Sequence, residues 1–326
     1  MNFLTPPFSS LIFGFIFTFV FLYFSIPLLR AWFLDSPNYR SSHETSTPSA
    51  GGISFVIAFL LTLFFKDSYF LLPPNGFFFL VISLLPLAFV SLLDDYHPVP
   101  SSARIFVHTY TAVIVLLISH FSFPSLIGLV VYPLLFLLFI AVINFVNFMD
   151  GLDGLVASSM LVSFSSVFVA LSVPWTFWVI IGSLFAFLVF NWSPSKVFMG
   201  DIGSTFLGAF FVALIFQSHS WSTFFGLLFI PSPLFTDSIV TIVRRFFARQ
   251  NIFTPHRLHL YQRLHQSGYS HGSVSLVYAS ASLFLSISFF SGGFVLVLVT
   301  FSLVLLLGLA LDKCFAAPFS VTSNNG

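Results

Sequence analysis

The chain has 326 residues, of which 58% are hydrophobic and only 6% charged, with a formal net charge of +1. Soluble domains carry about 25% charged residues, so a chain this apolar cannot cover a water-facing surface and reads as a polytopic membrane protein. One cysteine, Cys314, excludes an internal disulfide framework and a cysteine metal cluster, and no basic tract points to nucleic acid.

In chain order, apolar segments about long enough to cross a bilayer fall at 9–29, 50–65, 76–93, 103–120, 126–146, 155–172, 174–190, 203–218, 222–243, 273–291 and 293–311. The opening "MNFLTPPFSS" lacks the basic start and cleavage site of a signal peptide, so the first segment is expected to stay. The reading is an all-α integral membrane protein of about eleven transmembrane helices. It forms one domain over 1–312 with a short tail at 313–326, ending in an irregular "SVTSNNG".

Eleven spans place the termini on opposite sides. Arg30, Arg40, Arg104, Lys196, Arg244, Arg245, Arg249, Arg257, Arg263 and Lys313 then share one side, and Lys66 alone takes the other. The positive-inside rule makes the first side cytosolic, with a periplasmic N-terminus and a cytosolic C-terminus. The carboxylates follow: Asp35, Glu44, Asp94, Asp95, Asp150, Asp153, Asp201 and Asp312 fall near cytosolic helix ends, and Asp237 lies in the cytosolic half of the ninth segment. Carboxylates inside a membrane chain mark a functional path.

Five stretches concentrate polar chemistry. "DSPNYRSSHETSTPSAGGISF" (35–55) brings Asp35, Arg40, His43 and Gly51-Gly52 to the cytosolic side. "SLLDDYHPVPSSAR" (91–104) ends the third span on Asp94-Asp95; neighbours on a helix diverge by about 100°, so one can face a site while the other caps or pairs. Arg104 can neutralise the pair or hold a phosphate, and His108 one turn on reads as a satisfied helix histidine. In "NFVNFMDGLDGL" (144–155) a spacing of three puts Asn147 and Asp150 on one face with Asn144 at its margin. Gly151 is expected to stop that helix, and Asp153 to cap the next. "VFMGDIGSTFLG" (197–208) has Asp201 before an apolar run, with glycines for close backbone approach and a helix start suited to a metal–phosphate unit. The last loop, 244–272, carries Arg244, Arg245, Arg249, His256, Arg257, His259, Arg263, His265 and His271. Topology explains its arginines but not its histidines; Arg and His donors suit diphosphate oxygens.

Carboxylates from several spans suit Mg²⁺, which uses one or two of them plus substrate phosphates. The combination points to metal-dependent phosphoryl transfer between a cytosolic donor and a lipid acceptor. The alternative from another class is an ion- or proton-coupled transporter with Asp150, Asp153 and Asp237 on its path.

The blocks "LLDDYHPVPSSAR", "NFVNFMDGLDGL", "VFMGDIGSTFLG" and "PHRLHLYQRL", in that order over about residues 30–275, resemble the polyprenyl-phosphate N-acetylhexosamine-1-phosphate transferases. That resemblance implies transfer of HexNAc-1-phosphate from a UDP-N-acetylhexosamine donor to undecaprenyl phosphate. The products would be undecaprenyl-diphospho-HexNAc and UMP, the initiating step of an O-antigen or similar surface polysaccharide, at the bacterial inner membrane. It implies Mg²⁺ (or Mn²⁺) on Asp201 and Asn147, catalytic roles for Asp94, Asp95 and Asp150, and substrate binding by His256, Arg257, His259, Arg263, Arg104, Asp153 and His43. It leaves a homodimer open. The GlcNAc-specific branch tends to carry His-x-His in the last loop. Here that spacing gives His259 and Tyr261, closer to a branch using donors such as UDP-N-acetylfucosamine.

Overall fold

The structure is a computed structural model that describes residues 6–36, 45–62, 76–121, 123–252, 254 and 256–319. Arg40, His43, Glu44, Lys66, Asp67 and the terminal "SVTSNNG" lie outside the described residues. The elements run α1 (Pro6–Trp32), β1 (Leu34–Asp35), β2 (Thr47–Pro48), α2 (Ile53–Thr62), α3 (Gly76–Tyr96), α4 (Ser101–Leu117), α5 (Ser125–Phe148), α6 (Leu155–Leu171), η1 (Trp175–Trp178), α7 (Val179–Asn191), α8 (Gly200–Ile215), α9 (Trp221–Leu228), α10 (Ser232–Phe247), α11 (Leu260–Gln266) and α12 (His271–Cys314). β1 and β2 form a two-residue antiparallel pair, with Leu34 opposite Pro48 and Asp35 opposite Thr47. Among the described residues every other element is a helix, as the apolar composition requires: inside a bilayer only a helix or closed barrel satisfies its own backbone.

Every expected apolar segment falls on a helix, but the helices differ in kind. Among the described residues four are long and apolar enough to cross a membrane: α1, α3, α5 and α12. The expected ninth segment is not straight. It is α9 and α10, bent by 72° between Leu228 and Ser232, and the pair together makes a fifth candidate. α12 breaks at Gly292 and Gly293, the latter at φ 62. Ser288 Oγ lies 2.6 Å from Thr300 Oγ1, whereas twelve residues of straight helix span about 18 Å. The chain therefore reverses there into a hairpin with arms 271–291 and 294–314. Five further apolar helices run 10–17 residues.

Packing follows side-chain pattern. α8 is buried on every side from Ile202 to Ile215, as expected of a helix hydrophobic all round, and is enclosed by α2, α3, α4, α5, α6 and α9. The Phe59 and Phe210 rings meet at a tilt at its middle, with centroids 4.9 Å apart. Hydroxyls tie helices across the core: Ser91 to Thr205 at 2.7 Å and Ser166 to Ser286 at 2.7 Å. Large apolar side chains on the outer helices point outward, with Leu117 at 80% and Leu126 at 81% exposure, a surface that suits lipid and not water.

Close backbone approach decides where α8 begins. The Gly51 and Gly52 amides donate to the Phe198 and Met199 carbonyls, both at 2.9 Å. A Cβ on Gly52 would lie 2.3 Å from Gly203 Cα, so only glycine lets α2 start against the first turn of α8.

Candidate active site

The C-terminal ends of α3 and α5 and the N-terminal ends of α4, α6, α8 and α12 meet at one end of the bundle. They surround a cleft of about 540 Å³ lined by Asp94, Asp95, Asn147, Asp150, Asp153 and Asp201, with Gln262 and His271 facing them.

Adjacent Asp94 and Asp95 divide as their helical divergence demands. Asp95 Oδ1 accepts the Asp201 amide at 2.8 Å and its Oδ2 the Ile202 amide at 2.9 Å. These are orphan N–H groups of the first turn of α8, so a side chain from α3 caps α8. Gly200 sits at φ 73, and a Cβ there would fall 2.7 Å from Asp95 Oδ2, which explains a glycine before Asp201. Asp94 accepts the Val99 amide at 2.7 Å and Arg104 Nη1 at 3.1 Å. Arg104 keeps 46% of its side chain exposed, so it remains available to an incoming anion. His108 is buried in α4, as a core histidine would be.

Asn147 donates through Nδ2 to Asp201 Oδ1 at 2.8 Å and to Ser204 Oγ at 3.0 Å. Its amide nitrogen is thus spent, and its carbonyl oxygen is the group left for a cation. Asn144 turns away and bonds Ile140 O within its own helix. Asp150, two residues past α5, lines the cleft with no cation beside it among the described residues. Burial, then the carboxylates of Asp201, Asp95 and Asp153, push its carboxyl up to about 8.

Two local expectations are corrected. α5 ends at Phe148, with Met149 as its C-cap, so Gly151 does not stop it. Gly151 instead makes room for Tyr261, whose hydroxyl would sit 2.3 Å from a Cβ there and donates to Phe148 O at 3.1 Å. Nor does Asp153 cap α6; the N-cap is Gly154 at φ 75, without a side-chain cap. Asp153 turns elsewhere because His271 and Ser195 offer it better partners. Its Oδ2 accepts the Ser195 amide at 3.2 Å and pairs with His271 Nδ1 at 3.1 Å. Burial pushes its carboxyl up, but the His271 and Ser195 contacts outweigh that and hold it below the ordinary carboxylate value.

The last loop separates into structural and cleft-facing groups. Asp237, on α10, is a buried anchor: Oδ1 accepts the Leu260 amide at 2.7 Å and Thr241 Oγ1 at 3.2 Å, and Oδ2 accepts the Tyr261 amide at 3.1 Å and Tyr278 Oη at 2.7 Å. His259 Nδ1 lies 3.4 Å from the same carboxylate, so His259 is buried behind the cleft. Burial, then His259 and Arg245, push the His256 imidazole down to about 3. It is neutral at pH 7 and brings no positive charge to an anion. Arg263 is 3% exposed and its guanidinium goes to Leu258 O, Ala317 O and Asp312. This arginine holds the loop to α12 and does not face the cleft. Arg257 stands near Tyr261. Gln262 and His271 reach the cleft although the sequence singled out neither as a binder. His271 was legible only as one of the histidines in excess of what topology needs.

The donor set fits a magnesium-type cation. The carboxylates of Asp94, Asp95, Asp150, Asp153 and Asp201 and the Asn147 amide oxygen converge on one cleft, with Arg104 as the nearby guanidinium, a crowding of like charge that a dication relieves. No group of three acidic, histidine or cysteine side chains forms an all-protein cage among the described residues, in keeping with an ion that completes its shell with phosphate oxygens and water.

Residues 77–219 match the family described as Glycosyl transferase family 4. Those residues carry Asp94, Asp95, Asn147, Asp150, Asp153 and Asp201. The chain is similar to the undecaprenyl-phosphate alpha-N-acetylglucosaminyl 1-phosphate transferase of Escherichia coli K12, 27% identical over 88% of this chain and 84% of that one. The Salmonella typhi protein of the same name is 27% identical over 80% of this chain and 77% of its own. A decaprenyl-phosphate N-acetylglucosaminephosphotransferase of Mycobacterium leprae is 32% identical over 30% of this chain and 29% of its own. The family segment, the likeness along most of the chain and the convergence of its carboxylate motifs on one cleft make this chain similar to the polyprenyl-phosphate N-acetylglucosaminyl 1-phosphate transferases.

Proposed function

We propose that the chain transfers HexNAc-1-phosphate from a UDP-N-acetylhexosamine to undecaprenyl phosphate, at the cytosolic end of the bundle in the bacterial inner membrane. The observation that carries this reading is the cleft itself: carboxylates from three separate helix ends, with Arg104, at the end of an apolar bundle. A lipid phosphate oxygen attacks the β-phosphorus of the donor. The bond from that phosphorus to the bridging oxygen breaks, and UMP leaves with the electron pair. Phosphate replaces phosphate, so charge and protons balance without a strong base when the acceptor arrives as its dianion, its second pKa lying near about 6.

Asp201 and the Asn147 carbonyl would hold Mg²⁺ (or Mn²⁺), which when bound neutralises the donor diphosphate. Asp94 and Arg104 orient the two phosphates, Asp95 keeps the first turn of α8 in place, and Asp150 completes the acidic wall. Arg257 supplies a cation toward the donor from the last loop. Tyr261 stands where the GlcNAc branch has its second histidine and spends its hydroxyl on the Phe148 carbonyl, so the donor is sought among several UDP-HexNAc sugars. The product would prime an O-antigen or similar surface polysaccharide. The transporter alternative has no support in the geometry: the carboxylates gather at one end, and Asp237 is spent on four donors.

The test is UMP release by purified, folded protein with Mg²⁺, undecaprenyl phosphate and a panel of UDP-HexNAc donors. Absence of UMP with every donor would sink the reading. Full Mg²⁺-dependent turnover in Asp201→Asn would refute the metal assignment alone.

A further inference from the structure

His265, in the last turn of α11, and His271, the first residue of α12, face each other with Nε2 atoms 3.3 Å apart. Their other nitrogens are fixed by what they meet. His265 Nδ1 lies 2.9 Å from the Tyr269 carbonyl oxygen, which only accepts, so it carries a proton. His271 Nδ1 lies 3.1 Å from Asp153 Oδ2, also an acceptor. The Asp153 amide, 3.5 Å from the same nitrogen, is at the limit of hydrogen-bond distance and yields to the carboxylate. A neutral imidazole has one N–H. Two neutral rings so arranged would aim two lone pairs at each other; two imidazolium rings would aim two N–H groups. One shared proton alone makes the Nε2 contact a hydrogen bond.

We propose that this singly protonated pair makes His271 a positioning residue for the transfer, holding Asp153 ionised and turned into the cleft. The inference rests on the transferase reading for its consequence, not for its geometry. The setting is rigid. Ser275 Oγ donates to Asp153 O at 2.8 Å, and the Trp192 indole seats against both Gly154 and Gly272, fixing α6, α7 and α12 together. The charged and titratable groups around the pair are Asp150 and Asp153 on the α5–α6 turn, Lys196 beside Ser195, Asp95 and Asp201 across the cleft, and Arg263 on α11, whose guanidinium is spent elsewhere. No other cation touches Asp153 among the described residues, so losing the shared proton leaves the carboxylate beside a neutral ring, and doubling it sets two Nε2–H groups against each other. Turnover is therefore expected to fall once the pair loses its shared proton, which gives the profile an alkaline limb.

Two readouts test this on full-length protein in detergent. Nitrogen-15 spectra of the imidazoles, assigned with His265→Gln and His271→Asn, read the pair without substrate. Expected at neutral pH are protons on both Nδ1 atoms and one proton shared between the Nε2 atoms. A bare Nδ1 on either ring, or two bare or two protonated Nε2 atoms, overturns the pair. With a donor that supports UMP release, His271→Leu should lower kcat by up to about 100-fold, the cost of a small misplacement, with KM little changed. His271→Asn, whose amide nitrogen replaces Nδ1, should restore most of kcat and lose the alkaline limb. His265→Gln, a donor that does not titrate, should move that limb upward. Profiles of the Asn and Gln variants superimposing on the wild type overturn the positioning role. No UMP from the wild type with any donor removes that role along with the transferase reading, while the spectra still decide the pair.

Discussion

Asp95 is the sharpest place to separate support from chemistry. Its two oxygens accept the Asp201 and Ile202 amides at 2.8 and 2.9 Å, so Asp95→Ala leaves two N–H groups of the first turn of α8 without their partner. A capping side chain is worth about 0.5–2 kcal/mol, and the carboxylate adds about 0.3–1 kcal/mol against the helix N-terminus. The expected loss is about 2 kcal/mol for Ala and about 1 kcal/mol for Asn, which keeps one acceptor. At about 2–4 °C per kcal/mol, Asp95→Ala lowers the melting temperature by about 4–8 °C. Asp94 differs: its partner Arg104 is 46% exposed, and such a pair contributes about 1 kcal/mol or less. Asp94→Asn therefore melts close to the wild type while losing turnover. The assay is thermal unfolding in detergent beside UMP release for both variants. If Asp95→Asn melts like the wild type yet loses as much turnover as Asp94→Asn, Asp95 acts chemically and the capping argument fails.

Gly151→Ala should push the Tyr261 phenol off the Asp150 turn and cut turnover at least about tenfold. Tyr261→Phe in the same chain, lacking the oxygen that clashes at 2.3 Å, should recover part of it, and a double variant no better than the single one refutes the steric account. Asp237→Ala should destabilise by about 3–5 kcal/mol, because four donors and His259 lose a buried anion; thermal unfolding like the wild type's refutes the anchoring role. The Asp153 carboxyl is held below its ordinary value by His271 and Ser195 against burial. Its contribution to stability is complete above the unfolded value of about 3.9 and is lost as pH falls through the lower folded value. Asp153→Asn should remove that acid-side slope, and equal slopes in unfolding experiments below about pH 4 contradict it.

Much of the fold was legible because a bilayer imposes a one-dimensional rule. A segment of about 20 apolar residues must be helical, and among the described residues the expected segments fall on helices, of which four, or five with the bent pair, are long and apolar enough to cross a membrane. The rule says nothing about straightness, so the 72° bend between α9 and α10 stayed hidden. The α12 hairpin at Gly292-Gly293 was legible as a break between two segments. Among the site residues, Asn147 and Asp150 reach one cleft as their spacing requires, and Asp94 and Asp95 divide as adjacent helical residues must. Asp153 did not follow its local signal. Local spacing favoured a cap, but a buried carboxylate takes the partner that best compensates its desolvation, and His271 is 118 residues away.

By itself, then, the sequence determined the class of protein, the order of its helices and the end of the bundle at which the charges collect, since each depends on composition and short-range spacing. Only the tertiary structure decided which charges are spent on the fold. Asp95 on α8, Asp237 on the last loop, Arg263 on Asp312 and His271 on Asp153 are contacts between distant segments. Their geometry depends on how helices pack, and no local pattern encodes it.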